Sequence, residues 1–137
     1  MVSSVRTTER DRLASAPQGA RRTRVVLIVE DNLMTRCTAA AYLREVGYRV
    51  IEAANAAEGI SVFSSGTHVD FVFSDINMPG FLNGLGFAQW LTKEHPTVPV
   101  LLTSGVHREA GGTAPGLSFI AKPYHLDEVD RLIKAML

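Results

Sequence analysis

Four short stretches of the chain carry groups that could act together: Glu30-Asp31, Asp75, Thr103-Ser104 and Lys122. Asp75 closes the apolar run Phe71-Val72-Phe73-Ser74, and the breaker Pro79-Gly80 follows soon after. That pattern reads as a buried strand presenting one carboxylate at the rim of a sheet, where a loop begins. Standing alone, such an aspartate is most simply a cap or a turn residue. Gathered with Glu30 and Asp31, it needs another explanation. Two carboxylates ~4 Å apart repel by roughly 4 kcal/mol at an effective dielectric of ~20, so a proton or a cation must relieve them. Hard oxygen ligands with open positions suit Mg²⁺, which keeps several waters and takes carboxylates beside a phosphoryl oxygen. The Lys122 ammonium and a Thr103 or Ser104 hydroxyl would add positive charge and a hydrogen bond to the same group. A carboxylate held in line could then attack phosphorus and become an aspartyl phosphate. The chemistry these residue types allow is phosphoryl transfer onto an aspartate.

Distant stretches meet only if the fold brings them together, and the hydrophobic pattern says how. Val25 to Val29 is a continuous apolar run, as in a strand buried on both faces. Residues 32–46 carry Ala39, Ala40, Leu43 and Val46 at helical spacing, and Gly47 stops the helix. Further strands are expected over 48–53, 69–74, 100–103 and 117–121, with helices over 56–63, 84–94 and 126–136. Val129, Leu132, Ile133 and Met136 mark the inner face of the last helix. Strands alternating with helices imply an α/β fold, a parallel sheet covered on both faces. Five strands suggest a doubly wound, flavodoxin-like sheet of order 2-1-3-4-5, whose ligand site lies at the carboxyl ends of the strands. Glu30-Asp31, Asp75, Thr103-Ser104 and Lys122 all stand at such ends.

Val-Glu-Asp-Asn at 29–32, Ser-Asp-Ile-Asn-Met-Pro-Gly at 74–80, Pro-Val-Leu-Leu-Thr-Ser-Gly at 99–105 and Ala-Lys-Pro at 121–123 together resemble the receiver domain of two-component response regulators. The resemblance covers residues 24–137, in order and spacing. It implies that Asp75 accepts the phosphoryl group and that Lys122 and Ser104, rather than Thr103, contact it. Asp31 and Asp75, with Glu30 mainly through water and the Asn77 backbone carbonyl, would hold Mg²⁺, with Mn²⁺ able to substitute. Lys122-Pro123 would be a cis bond, and Phe119 the aromatic that swings inward when Ser104 is drawn to the phosphate. The donor implied is a sensor histidine kinase or a histidine phosphotransfer protein. Output would pass to another, unidentified protein, with the domain a monomer or a phosphorylation-promoted homodimer.

Composition sets the remaining bounds. The 137 residues suit one domain with a real core, and the formal net charge is zero. Residues 1–24 hold six arginines against Glu9 and Asp11, so a basic, flexible extension over 1–23 is expected before an acidic domain over 24–137. One cysteine, Cys37, excludes an internal disulfide and suits a cytoplasmic protein; its neighbours suggest a packed thiol. No run approaches the ~18 apolar residues of a membrane span. The last helix ends the sequence, so no output domain and no direct DNA binding are expected. Rival readings are a protein-binding module that signals without phosphorylation and a phosphatase of the haloacid-dehalogenase type. The phosphatase would want a second aspartate where Asn77 stands. A flavin carrier on the same fold would want a phosphate-cradling loop in place of Glu30-Asp31-Asn32.

Two features depart from the family pattern. Gly111, Gly112, Pro115 and Gly116 fall where a fourth helix belongs, over 106–116. Adjacent glycines alone cost about 2 kcal/mol of helix propensity, so that helix is expected to be short or irregular. The loop after Pro79 is also one residue longer than the usual pattern. Val106, two residues past Ser104, is apolar and cannot orient an attacking water. A phosphorylated form is therefore expected to decay slowly, and Val106→Glu to change its half-life in a phosphate-release assay. An unchanged half-life would count against that role.

Overall fold

The computed structural model describes residues 22–78, 80, 82–105 and 116–137. Within them lie β1 (Val25–Val29), α1 (Leu33–Glu45), β2 (Arg49–Ala53), α2 (Ala56–Ser64), β3 (Phe71–Asp75), α3 (Gly84–Glu94), β4 (Val100–Ser104), β5 (Leu117–Ala121) and α4 (Leu126–Met136). All five strands run parallel in the order β2-β1-β3-β4-β5, as the alternating pattern implies. The irregular helix expected over 106–116 and the basic extension over 1–23 fall outside the described residues, apart from Gly116, Arg22 and Thr23. None of the described helices is long and apolar enough to cross a membrane.

Side chains alternate across each strand, so every central strand feeds two cores. Val26, Ile28, Phe71, Phe73 and Leu101 pack against Ala39, Ala40 and Leu43 of α1 and Val129 and Ile133 of α4. Leu27, Val29, Val72, Val100 and Leu102 pack on the other face against Phe63 of α2 and Phe87, Ala88 and Leu91 of α3. β1, β3 and β4 are buried along their whole length, which is why β1 reads as an unbroken apolar run and β3 and β4 each begin with three apolar residues. Each such leucine, valine or phenylalanine contributes roughly 1.5–3 kcal/mol by leaving water. Trp90 is a packing residue, as expected, stacked on Phe87 and edge-on to Phe63.

Two residues of α1 depart from expectation. Its buried stripe is only Ala39, Ala40 and Leu43. Cys37 lies off that stripe and is exposed rather than packed. Val46 is the C-cap residue and 40% exposed, because the chain leaves α1 there and turns toward β2 through Gly47 at φ +113°. Glycine adopts that left-handed conformation without the steric cost a side chain would bring.

Asparagine starts three of the four described helices. Asn32, Asn55 and Asn83 accept hydrogen bonds from Thr35 N (2.9 Å), Glu58 N (2.8 Å) and Gly86 N (2.9 Å). Each bond satisfies one of the amides that an α-helix leaves without a partner in its first turn. At the sheet margin, Glu52 of β2 holds Arg36 (3.3 Å) and Arg44 (3.2 Å), and Arg44 also donates to the Val50 carbonyl (3.1 Å).

At the opposite end, buried Asp70 ties the start of β1 to the start of β3. It accepts from Val25 N at 2.8 Å and pairs with His68 at 2.7 Å, with Arg22 and Arg24 3.7 and 3.9 Å away. Burial opposes its charge, yet the Val25 amide, His68 and Arg22 outweigh that and hold its carboxyl below the usual range. A depressed carboxyl stabilises the fold fully above its unfolded range and loses that contribution as pH falls through the lower folded value. Asp70→Asn should therefore cost about 1–3 kcal/mol at neutral pH, seen as a lower urea midpoint, and the gap should close in strong acid. A gap that persists there would assign the effect to packing.

α3 approaches β3 closely enough to exclude a side chain. Gly84 N donates to the Ile76 carbonyl at 2.9 Å, and a Cβ at Gly84 would overlap the Asp75 carbonyl oxygen and lie 2.7 Å from Ile76 Cα. Both neighbours are backbone, so α3 itself must shift. Gly84→Ala should cost about 1–3 kcal/mol, the usual penalty for overpacking, again read as a urea midpoint. An unchanged midpoint would mean that α3 can move off Asp75 freely.

Candidate functional site

The sheet places the predicted residues along one rim. β1 runs into Glu30-Asp31, β3 ends at Asp75, β4 at Ser104, and β5 into Lys122. Backbone bonds extend the strand pairing past the strands themselves: Ile76 N to Thr103 O at 2.9 Å, Lys122 N to Ser104 O at 3.0 Å, and Glu30 N to Ala53 O at 3.0 Å. The register sets Asp75 opposite Thr103 and Ser104 opposite Ala121. Lys122-Pro123 is cis, as expected.

Glu30, Asp31 and Asp75 each offer an oxygen, all within 4.8 Å of one another, and the sequence-based expectation that they meet is met. Glu30 and Asp75 are only 5% exposed, whereas Asp31 faces solvent. Lys122 Nζ stands 3.4 Å from Asp75 Oδ2 and 4.0 Å from Glu30 Oε1. The Asn32 amide donates to Glu30 Oε2 at 3.0 Å, and the Asn77 amide to Asp75 Oδ1 at 3.3 Å. These contacts only partly offset the crowding. Burial, assisted by the charge of Asp75 and a hydrogen bond involving Asp31, raises the Glu30 carboxyl above its usual range despite the Asn32 amide and Lys122. The acidic pair does not cap α1, since Asn32 does that.

The two strand-end hydroxyls have different surroundings. Ser104 receives a hydrogen bond from Asn77 Nδ2 at 3.2 Å, so it shares the rim with the residue two past Asp75. Thr103 is 2% exposed, and its Oγ1 has no hydrogen-bond partner. Phe119 is half-buried against the core shared with α2 and α3, beside Leu117. Of the histidines read as surface or turn residues, His68 is exposed yet pairs with Asp70, and His95 packs on Phe63 and Trp90. His107 lies outside the described residues.

Three contributors were not legible beforehand. The Asn77 side chain reaches Ser104, besides any use of its carbonyl. Arg36 donates to the Glu30 carbonyl at 2.8 Å and steadies the turn into α1. Tyr124 borders the acidic cluster, where burial and the charges of Glu30 and Asp75 push its phenol up to about 12. Its place directly after Lys122-Pro123 was the available signal. Leu33 and Met34, the first residues of α1, are exposed.

The donor set is all-oxygen, anionic and open on the Asp31 side. Mg²⁺ binds oxygens at ~2.0–2.1 Å, which puts opposed ligands ~4 Å apart. Carboxylate oxygens already within 4.8 Å need only small side-chain movements to meet that requirement. The residues fit a hard divalent cation.

Residues 26–134 match the family described as the response regulator receiver domain. The aerobic respiration control protein ArcA of Escherichia coli K12 is 35% identical over 108 residues, 76% of this chain and 44% of ArcA. The autoinducer 1 sensor kinase/phosphatase LuxN of Vibrio campbellii is 32% identical over 80 residues, 58% of this chain and 9% of LuxN. The chain thus spans less than half the length of these relatives. Among solved structures, the response regulator TrrA of Thermotoga maritima in complex with Mg²⁺–BeF superposes with a TM-score of 0.75 at 26% identity, covering 84% of this chain and 100% of that one. The receiver domain of the hybrid histidine kinase CckA gives 0.70 at 30% identity, covering 82% and 98%. In sequence as in architecture, the chain belongs to the response regulator receiver domain family of two-component systems.

Proposed function

We propose that this domain is a phosphorylation-operated switch in which Asp75 accepts a phosphoryl group from a phosphohistidine. The observation that carries the proposal is the meeting of three carboxylates within 4.8 Å, with the Lys122 ammonium 3.4 Å from Asp75. Such a cluster is costly for stability alone and suited to holding a cation and a phosphoryl group. Glu30, Asp31 and Asp75, with the Asn77 carbonyl, would hold Mg²⁺, which supplies positive charge to the phosphoryl oxygens. An Asp75 oxygen forms the new O–P bond as the P–N bond to the donor imidazole breaks, and that nitrogen keeps the electron pair and takes up a proton. Lys122 holds the acceptor carboxylate now and offsets phosphoryl charge afterwards. Ser104, already linked to Asn77, donates its hydroxyl to a phosphoryl oxygen, and Phe119 follows it inward.

The donor is a sensor histidine kinase or a histidine phosphotransfer protein, consistent with receiver relatives in LuxN and CckA. The domain catalyses only its own phosphorylation and dephosphorylation, and its output is a changed protein-binding surface. Residues 24–137 constitute the switch, and residues 1–23 an accessory extension.

Intact mass after incubation with Mg²⁺ and acetyl phosphate tests the proposal. A gain of one phosphoryl group that needs Mg²⁺ and is absent in Asp75→Asn is expected. Catalytic consumption of acetyl phosphate without an adduct would assign the fold to a phosphatase instead. Neither adduct nor turnover would favour a phosphorylation-independent binding module.

A further inference from the structure

Among the described residues, the Thr103 hydroxyl is the one buried side-chain polar atom with no hydrogen-bond partner. An orphaned buried hydroxyl costs stability, and in native proteins it usually marks an ordered water, an ion or a functional role. Thr103 sits on β4 directly opposite Asp75 of β3. By strand alternation it shares a face with Leu101, toward α1 and α4, while Ser104 takes the opposite face. Beneath the acidic cluster on that face lies a cavity of about 10 Å³. Its polar lining is Glu30, Thr35, Ser74, Asp75, Thr103 and Tyr124, and its floor includes Phe73 and Ala39.

A cavity this small is at the threshold for one water and excludes anything larger. A water kept in such a place needs two to four polar partners, and the lining offers carboxylates, hydroxyls and a phenol. An apolar cavity of the same size would stay dry, but this one borders two buried carboxylates.

We propose that Thr103 anchors a single buried water that bridges its hydroxyl to the carboxylates of Glu30 and Asp75 from below, making Thr103 a positioning residue for the acidic cluster. The cluster is thereby held from two sides. Lys122 and the Asn32 and Asn77 amides act from the rim, and the water acts from the interior. Thr103 sets the orientation in which Glu30 and Asp75 present their oxygens to a cation. Its neighbour Ser104 has a separate task, so the two adjacent hydroxyls serve opposite faces of the same strand. This assignment deepens the proposed function at its metal site.

High-resolution crystal structures of the native protein, Thr103→Ser and Thr103→Val test the water directly, and calorimetric Mg²⁺ titration tests its consequence. Density for one water within hydrogen-bond reach of residue 103 is expected in the native protein and Thr103→Ser, and none in the isosteric Thr103→Val. Mg²⁺ affinity should fall about tenfold in Thr103→Val, the lower end of what loss of a partner behind the ligands costs, and stay within about twofold in Thr103→Ser. A dry native cavity, or native affinity in Thr103→Val, would overturn the proposal. Neither measurement involves phosphate. Failure of Asp75 to accept phosphate would sink the switch while leaving the water and the affinities to decide the role of Thr103.

Discussion

Repulsion among Glu30, Asp31 and Asp75 is the constraint to which the surrounding structure answers. No packing benefit follows from placing three carboxylates within 4.8 Å, two of them nearly buried. The raised carboxyl of Glu30 registers the cost. A lysine that reaches two of the three, and amides donated by Asn32 and Asn77, make the arrangement tolerable without discharging it. The charge left over is a binding potential, and the site depends on the fold being stable enough to keep it in place.

That stability comes from the strands that deliver the charges. β1 and β3 are buried throughout and hydrogen-bonded side by side, so their ends cannot separate to relax the repulsion. The helices help by starting cleanly. Asparagine caps end each connection from the sheet into α1, α2 and α3, and Gly84 lets α3 press on the backbone of Asp75 itself. Asp75 is therefore gripped through its main chain as well as its side chain.

Much of this was readable from the sequence because the central strands are long apolar runs and each ends in a chemically distinctive residue. Strand order, the α3, β5 and α4 boundaries, and the convergence of Glu30, Asp31, Asp75, Ser104 and Lys122 follow from period, punctuation and the rule for parallel sheets. What was not readable depends on facing rather than type. Cys37 and Val46 look like core residues until the narrow stripe of α1 is known. Ser104 was set apart from Thr103 by the family resemblance, but the inward face of Thr103 and its lack of a hydrogen-bond partner were not readable, since they follow from the strand sending neighbours to opposite faces. Tyr124, Arg36 and the amide of Asn77 gain their importance from contacts that no local pattern specifies.

The arginines of α1 have a meaning beyond the salt bridges they make. β2 is an outer strand of the sheet, and an outer strand offers its free backbone groups to any passing chain. Here Arg44 occupies the Val50 carbonyl, and Glu52 is held between Arg36 and Arg44. A foreign strand would have to break charged contacts before it could add to the sheet on this side. Assembly at this margin is thus discouraged by the native structure itself, leaving partners to be chosen through surfaces made of side chains.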